Sequence, residues 1–236
     1  MSNYLIEEYL NMIKFIDQSK YRTRNEENRR LAFQFYSKGN KYDGRFMVVG
    51  RAVNGWSEEC EWTHGEYSNS SPIDKVSKTY EKSLIDPLQW VHDFWGLNGF
   101  DEKGVKKYNT AKSPFWQLTK KVLMKITPED DWDEENWALR IIWSNLYKVA
   151  PSIGGNPNNT LCRYQLEFCK RILRKEIELN KPQYILFVTS ENWFKDFTDC
   201  IPYSNEYSPK IYVSERPEFR SPSLMADLIC NEFKGL

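Results

Sequence analysis

Histidine is scarce in this 236-residue chain: His64 and His92 stand far apart, with no compact cysteine and histidine pattern around either, so no metal site is expected. The five cysteines (Cys60, Cys162, Cys169, Cys200 and Cys230) are odd in number, scattered and without a CxxC pair. That excludes a disulfide framework and predicts reduced thiols. Net charge is also missing, because Lys+Arg and Asp+Glu both number 33. No global field attracts a polyanion, and any affinity for nucleic acid must come from local patches. No run approaches the roughly 18 apolar residues of a membrane span. The opening MSNYLIEEYLNMIKF has acids where a signal peptide has its basic start. These absences predict a cytoplasmic protein with no membrane partner. Repeats, low-complexity tracts and linkers are lacking too, so residues 1–236 read as a single domain, with 1–40 as a helical N-terminal extension.

What the chain has in quantity is aromatic side chains, 15% of residues with nine tryptophans. A core of this size needs fewer, which points some of them to a pocket or an interface. Apolar spacing predicts helices over 4–16 and 26–36, and Arg45-Phe46-Met47-Val48-Val49-Gly50 reads as a buried parallel strand stopped by glycine. Residues 51–71 form a polar loop too long for an idle connection. Helical patterns follow at 72–95 and 113–126, the latter opened by Ser113-Pro114. Residues 137–149 end as a strand, 161–179 form an amphipathic helix, 183–189 a buried strand, 211–214 a short strand and 221–233 a closing helix. This alternation predicts an α/β fold with a mostly parallel sheet and helices on both faces, and ligands in such folds bind beyond the carboxyl ends of the strands.

Four segments would meet at that edge: Gly50-Arg51-Ala52-Val53-Asn54-Gly55-Trp56, Ser113-Pro114-Phe115-Trp116, Ser144-Asn145-Leu146-Tyr147-Lys148 and Ser214-Glu215-Arg216-Pro217-Glu218. Singly, each is an ordinary turn or helix start. Their order says more. From about residue 45 to the C-terminus the chain resembles the uracil-DNA glycosylase-like superfamily, most closely its thermostable iron–sulfur class. That class has GEAPG after the first strand, GxPFVG opening a helix, a strand ending NVVKCRPPxNRxP, a helix with a cysteine, a KPKVIVxLG strand and an HPS-type motif before the last helix. The matching residues here are Gly50-Arg51-Ala52, Ser113-Pro114-Phe115-Trp116, Asn145 to Pro151 with Gly155-Asn156-Pro157, Cys169, Lys181 to Thr189, and Ser214 to Glu218. The resemblance implies a three-layer α/β/α sandwich around a central four-stranded parallel sheet.

It also implies site roles. In that superfamily a base is flipped from the stack into a tight pocket, stacked on a ring and read through its polar edge. Phe115 stands at the stacking position and Asn145 at the base-reading one, where a carboxamide offers both a donor and an acceptor. The plainer alternatives are core packing for Phe115 and a turn cap for Asn145. Arg51 replaces the class's Glu, and Ala52 stands where other classes have Asp or Asn, so no carboxylate remains at either position. Asn54 is the candidate to orient water, or else a turn residue beside Gly55. Arg216 replaces the family histidine and is the candidate to steady a leaving base. Arg51 and Arg216 together would suit an anionic ligand, or each would pair with a nearby acid such as Glu215 or Glu218. The cluster cysteines are represented only by Cys169, with Val149 following Lys148, so no cofactor is expected. Lys103, Lys106, Lys107 and Lys112 lie beside Phe115 and could track a phosphate backbone, whereas Arg163, Lys170, Arg171, Arg174 and Lys175 read as a solvated helix face.

Three classes of function compete. The first is a nucleobase-binding, base-excising DNA N-glycosylase or a divergent relative. The second is a non-catalytic protein that binds a nucleotide or modified base in the same pocket. The third is a protein-interaction module presenting Trp56, Trp62, Trp132 and Trp137 as an exposed patch.

Overall fold

A computed structural model describes residues 2–21, 30–52, 60–67, 69–85, 88–99, 107–218 and 220–235. The chain is mixed α/β. Among the described residues its main sheet has five strands: β2 (Ser37–Lys38), β3 (Phe46–Ala52), β5 (Ile141–Tyr147), β7 (Tyr184–Val188) and β8 (Lys210–Ser214), in the order β2-β5-β3-β7-β8. The pairs β5–β3, β3–β7 and β7–β8 are parallel, and β2 pairs antiparallel with β5. The sheet is therefore mixed and five-stranded, not the purely parallel sheet of four expected from the sequence. A two-residue strand is too short to leave a periodic signal. A second sheet of three antiparallel strands joins β4 (Glu61–Thr63), β1 (Arg30–Phe33) and β6 (Val149–Pro151).

Here the expected N-terminal helical extension needs correction. The helix α1 (Ser2–Gln18) forms, burying Leu5, Tyr9, Met12, Ile13 and Ile16 at helical spacing. The helix read over 26–36 does not, because Arg30–Phe33 is a strand and residues 22–29 lie outside the described residues. Phe33, Phe35 and Ser37 are buried while Gln34, Tyr36 and Lys38 are less so, the two-residue period of extended chain. Flanking strands supply the partners that make extended chain pay: Leu31 pairs with both Trp62 and Pro151.

The main sheet is covered on both faces. Met47, Val49, Ile142, Ile185 and Phe187 point to one core with α1 and α5 (Asn159–Asn180). Phe46, Val48, Ile141, Trp143 and Leu186 point to the other, with α4 (Pro114–Ile126) and α7 (Pro222–Lys234). Between β3 and α4 run α2 (Ile73–Ser83) and α3 (Gln89–Asp93), and α6 (Glu191–Phe194) follows β7. α4 begins with Pro114 at its first position, as its fixed φ favours. α5 is capped by Asn158, whose side chain accepts from the Leu161 N–H at 2.9 Å.

Strand order fixes where a ligand can enter. The chain moves from β3 to β5 on one side and then to β7 on the other, so its connections diverge at β3. The crevice of such a sheet opens at that point, beyond the carboxyl ends of the strands. Among the described residues no helix is long and apolar enough to cross a membrane.

Candidate functional site

A cavity of about 740 Å³ occupies that crevice. It is lined by Arg51, Ala52, Phe115, Asn145 and Arg216, which come from four separate stretches of the chain. Asn54, the candidate water-orienting residue, lies outside the described residues.

The floor is set by register. Gly50 is the direct partner of Asn145 across the parallel β3–β5 pair. A Cβ on Gly50 would lie 2.6 Å from Asn145 Oδ1 and 3.7 Å from Phe115 Cε2. A side chain at position 50 would intrude on the Asn145 carboxamide and touch the edge of the Phe115 ring. Asn145 is 5% exposed, and its Nδ2 donates to Gln34 Oε1 at 3.4 Å. Gln34 is itself held from two sides: its N–H donates to the Lys148 carbonyl at 3.1 Å, and its carbonyl accepts from the Tyr9 hydroxyl at 2.5 Å. One Asn145 N–H is thus spent on the protein, which leaves the carbonyl and the second N–H for a ligand edge offering a donor beside an acceptor.

Phe115 sits in the first turn of α4 and packs on Trp116 edge to face, with centroids 5.0 Å apart. Trp116 continues into an aromatic wall with Trp90 and Trp143, at 5.6 and 5.3 Å. Phe94 and Tyr108 complete it at the rim. Of these, the sequence reading singled out only Phe115 and Trp116. Trp143 was accessible to the same logic, since it lies two residues before Asn145 on one strand and so shares its face.

The mouth is cationic. β3 outruns β7, whose pairing with it ends at Val49–Phe187, and Arg51 folds over the free end of β7. Its Nε donates to the Thr189 carbonyl at 2.9 Å, and Nη2 reaches Ser190 Oγ at 3.4 Å. The guanidinium lies 5.4 Å from the Trp193 ring centre. Ser190 holds φ 67° and ψ 156°, a conformation that side chains rarely adopt, at the turn where β7 gives way to α6. Burial, followed by the nearby Arg216, lowers the Arg51 pKa. Among the described residues no carboxylate pairs with Arg51. Arg216 is exposed and bound to Glu218 at 2.8 Å. The two arginines therefore differ: Arg216 is paired to the acid foreseen, whereas among the described residues the close partners of Arg51 are the Thr189 carbonyl, the Ser190 hydroxyl and the Trp193 ring.

Among the described residues the cavity lining contains no carboxylate and no histidine. Two of the four tryptophans expected in an exposed patch are not available to it: Trp62 and Trp137 are buried at 2% and 1% exposure, while Trp132 is half-buried and donates to Glu134 at 3.1 Å. Trp56 lies outside the described residues, as do Lys103 and Lys106, while Lys107 and Lys112 are exposed. On α5, Lys170 pairs with Asp199 and Arg171 with Glu8, away from the cavity. Cys169 is fully buried against the Lys148 N–H, and burial pushes its thiol up to about 12.

No protein-family model matches the sequence, and no curated protein matches it.

Proposed function

We propose that this cavity is a nucleobase site and that the chain is a base-excising DNA N-glycosylase or a divergent relative. One observation carries the reading: the packing of Gly50, Asn145 and Phe115 around a single point at the carboxyl end of the central strands. A planar heterocycle stacked on Phe115 presents its edge to the free carbonyl and N–H of Asn145. That pairing suits a base with N–H beside C=O, as in uracil or hypoxanthine. In excision, the bond between the sugar C1′ and the base nitrogen breaks, its electron pair leaves with the base, water adds to C1′ and the proton it gives up ends on the departed base. Arg216 steadies the departing base, Asn54 aligns the water, and Arg51 and Ala52 line the mouth.

A second reading has one observation in its favour. Arg51 stands at the mouth without a carboxylate partner among the described residues, an arrangement that suits the phosphate of a bound nucleotide in a non-catalytic site.

The test is to incubate the purified protein with single- and double-stranded oligonucleotides carrying uracil, hypoxanthine or an oxidised base and to assay for abasic sites. Release of one of these bases, abolished in Asn145→Ala, is the expected result. An Asn145→Ala variant as active as the parent sinks the proposed pocket. Inactivity on every base, with thermal stabilisation by free nucleotides that disappears in Arg51→Ala, selects the second reading.

A further inference from the structure

The base seat uses only one end of the cavity. From Phe115 the aromatic wall continues through Trp116 to Trp90, with ring centres 5.0 and 5.6 Å apart, and branches there to Tyr108 and Phe94, at 6.4 and 6.3 Å from the Trp90 ring. Along that path the rings pass from buried to open: Trp116 is 3% exposed, Phe94 38% and Tyr108 52%. Large aromatics left open to water beside a pocket mark contact surface rather than core.

This rim is held in place. The Thr110 hydroxyl donates to the Val91 carbonyl at 2.7 Å and its N–H to the Phe94 carbonyl at 3.0 Å. Asn109 Oδ1 accepts from the Gly96 N–H at 3.1 Å. These bonds tie the segment carrying Tyr108 to α3, which carries Trp90, and to the residues just after it, which include Phe94. Lys107 and Lys112, both exposed, flank it. Aromatic rings alternating with cations are how proteins hold single-stranded nucleic acid, because each base has a stacking face and each link a phosphate.

We infer that Phe94 and Tyr108 form a second stacking subsite, which takes a neighbour of the base seated on Phe115 in an unpaired strand, with Lys107 and Lys112 on the strand's phosphates. The occupant is a single-stranded oligonucleotide, and a free base or nucleotide uses only part of the cavity. This rests on the nucleobase reading of the inner end.

The two are separable by ligand length. Titration calorimetry compares dUMP and deoxyinosine monophosphate with single-stranded pentamers bearing one central deoxyuridine or deoxyinosine. The pentamer is expected to bind at least about tenfold more tightly than its mononucleotide. The double variant Phe94→Ala/Tyr108→Ala is expected to lose that increment while mononucleotide affinity stays within about threefold. Circular dichroism and the melting temperature verify that the variant is folded. Equal affinity for both ligand lengths, or a length increment that survives the double variant, overturns the second subsite and leaves the base seat standing. Should neither length bind the parent protein, the nucleobase reading falls and the subsite with it.

Discussion

At the scale of single residues, the account depends on a few ångströms around Gly50. The missing side chain there keeps open a space that Asn145 and Phe115 both border, and Gly50→Ala would drive a methyl to 2.6 Å from Asn145 Oδ1. The carboxamide must then turn, and its ligand edge is lost. We expect Gly50→Ala to weaken binding of a deoxyuridine pentamer by about tenfold or more, with an unchanged circular dichroism spectrum. Undiminished affinity, measured by titration, would count against Asn145 as the reader. Gly50 was legible as the stop of an apolar strand, whereas Phe115 and Asn145 were singled out by the order of motifs that resembles the glycosylase-like superfamily. Gln34 was not, since 111 residues separate it from the amide it holds. Only the fold brings them together.

At the scale of elements, the long periodic segments were legible and the short ones were not. α1, α4, α5, α7 and the strands β3, β5, β7 and β8 follow patterns of apolar spacing that a sequence displays directly. β1, β2, β4 and β6 have two to four residues each, and their identity depends on partners elsewhere in the chain. A buried network was equally hidden. Lys148 Nζ donates to Ser144 Oγ at 2.7 Å and to Glu176 Oε1 and Oε2 at 2.8 and 2.9 Å. It pins the end of β5, on the face opposite Asn145, to α5. Lys148 and Glu176 are 1% and 0% exposed, so removing one partner strands the other charge away from water. Glu176→Ala should cost about 3–5 kcal/mol in denaturant unfolding, whereas Lys148→Met/Glu176→Leu should recover much of that loss. A single variant no less stable than the double would show that the pair is not the clamp described.

At the scale of the whole molecule, zero net charge with a local cluster of cations makes a quantitative demand. If Arg51, Arg216, Lys107 and Lys112 are the groups that meet phosphates, two to four contacts form, and log K against log salt concentration should fall with a slope of about −1.4 to −2.8 for a single strand. Titration of the pentamer from low to high salt gives that slope. A much steeper one would place binding elsewhere, for example along α5, and a flat one would remove phosphate from the interaction.

The central claim is that Asn145, set beside Gly50 and beneath Phe115, reads a base. It is tested most directly by calorimetric titration of single-stranded oligonucleotides bearing one uracil, hypoxanthine or oxidised base into the parent protein and into Asn145→Ala. The account predicts saturable binding of at least one of these by the parent and a loss of about tenfold or more in the variant. Equal affinity in the two proteins, or no binding to the parent, would contradict it.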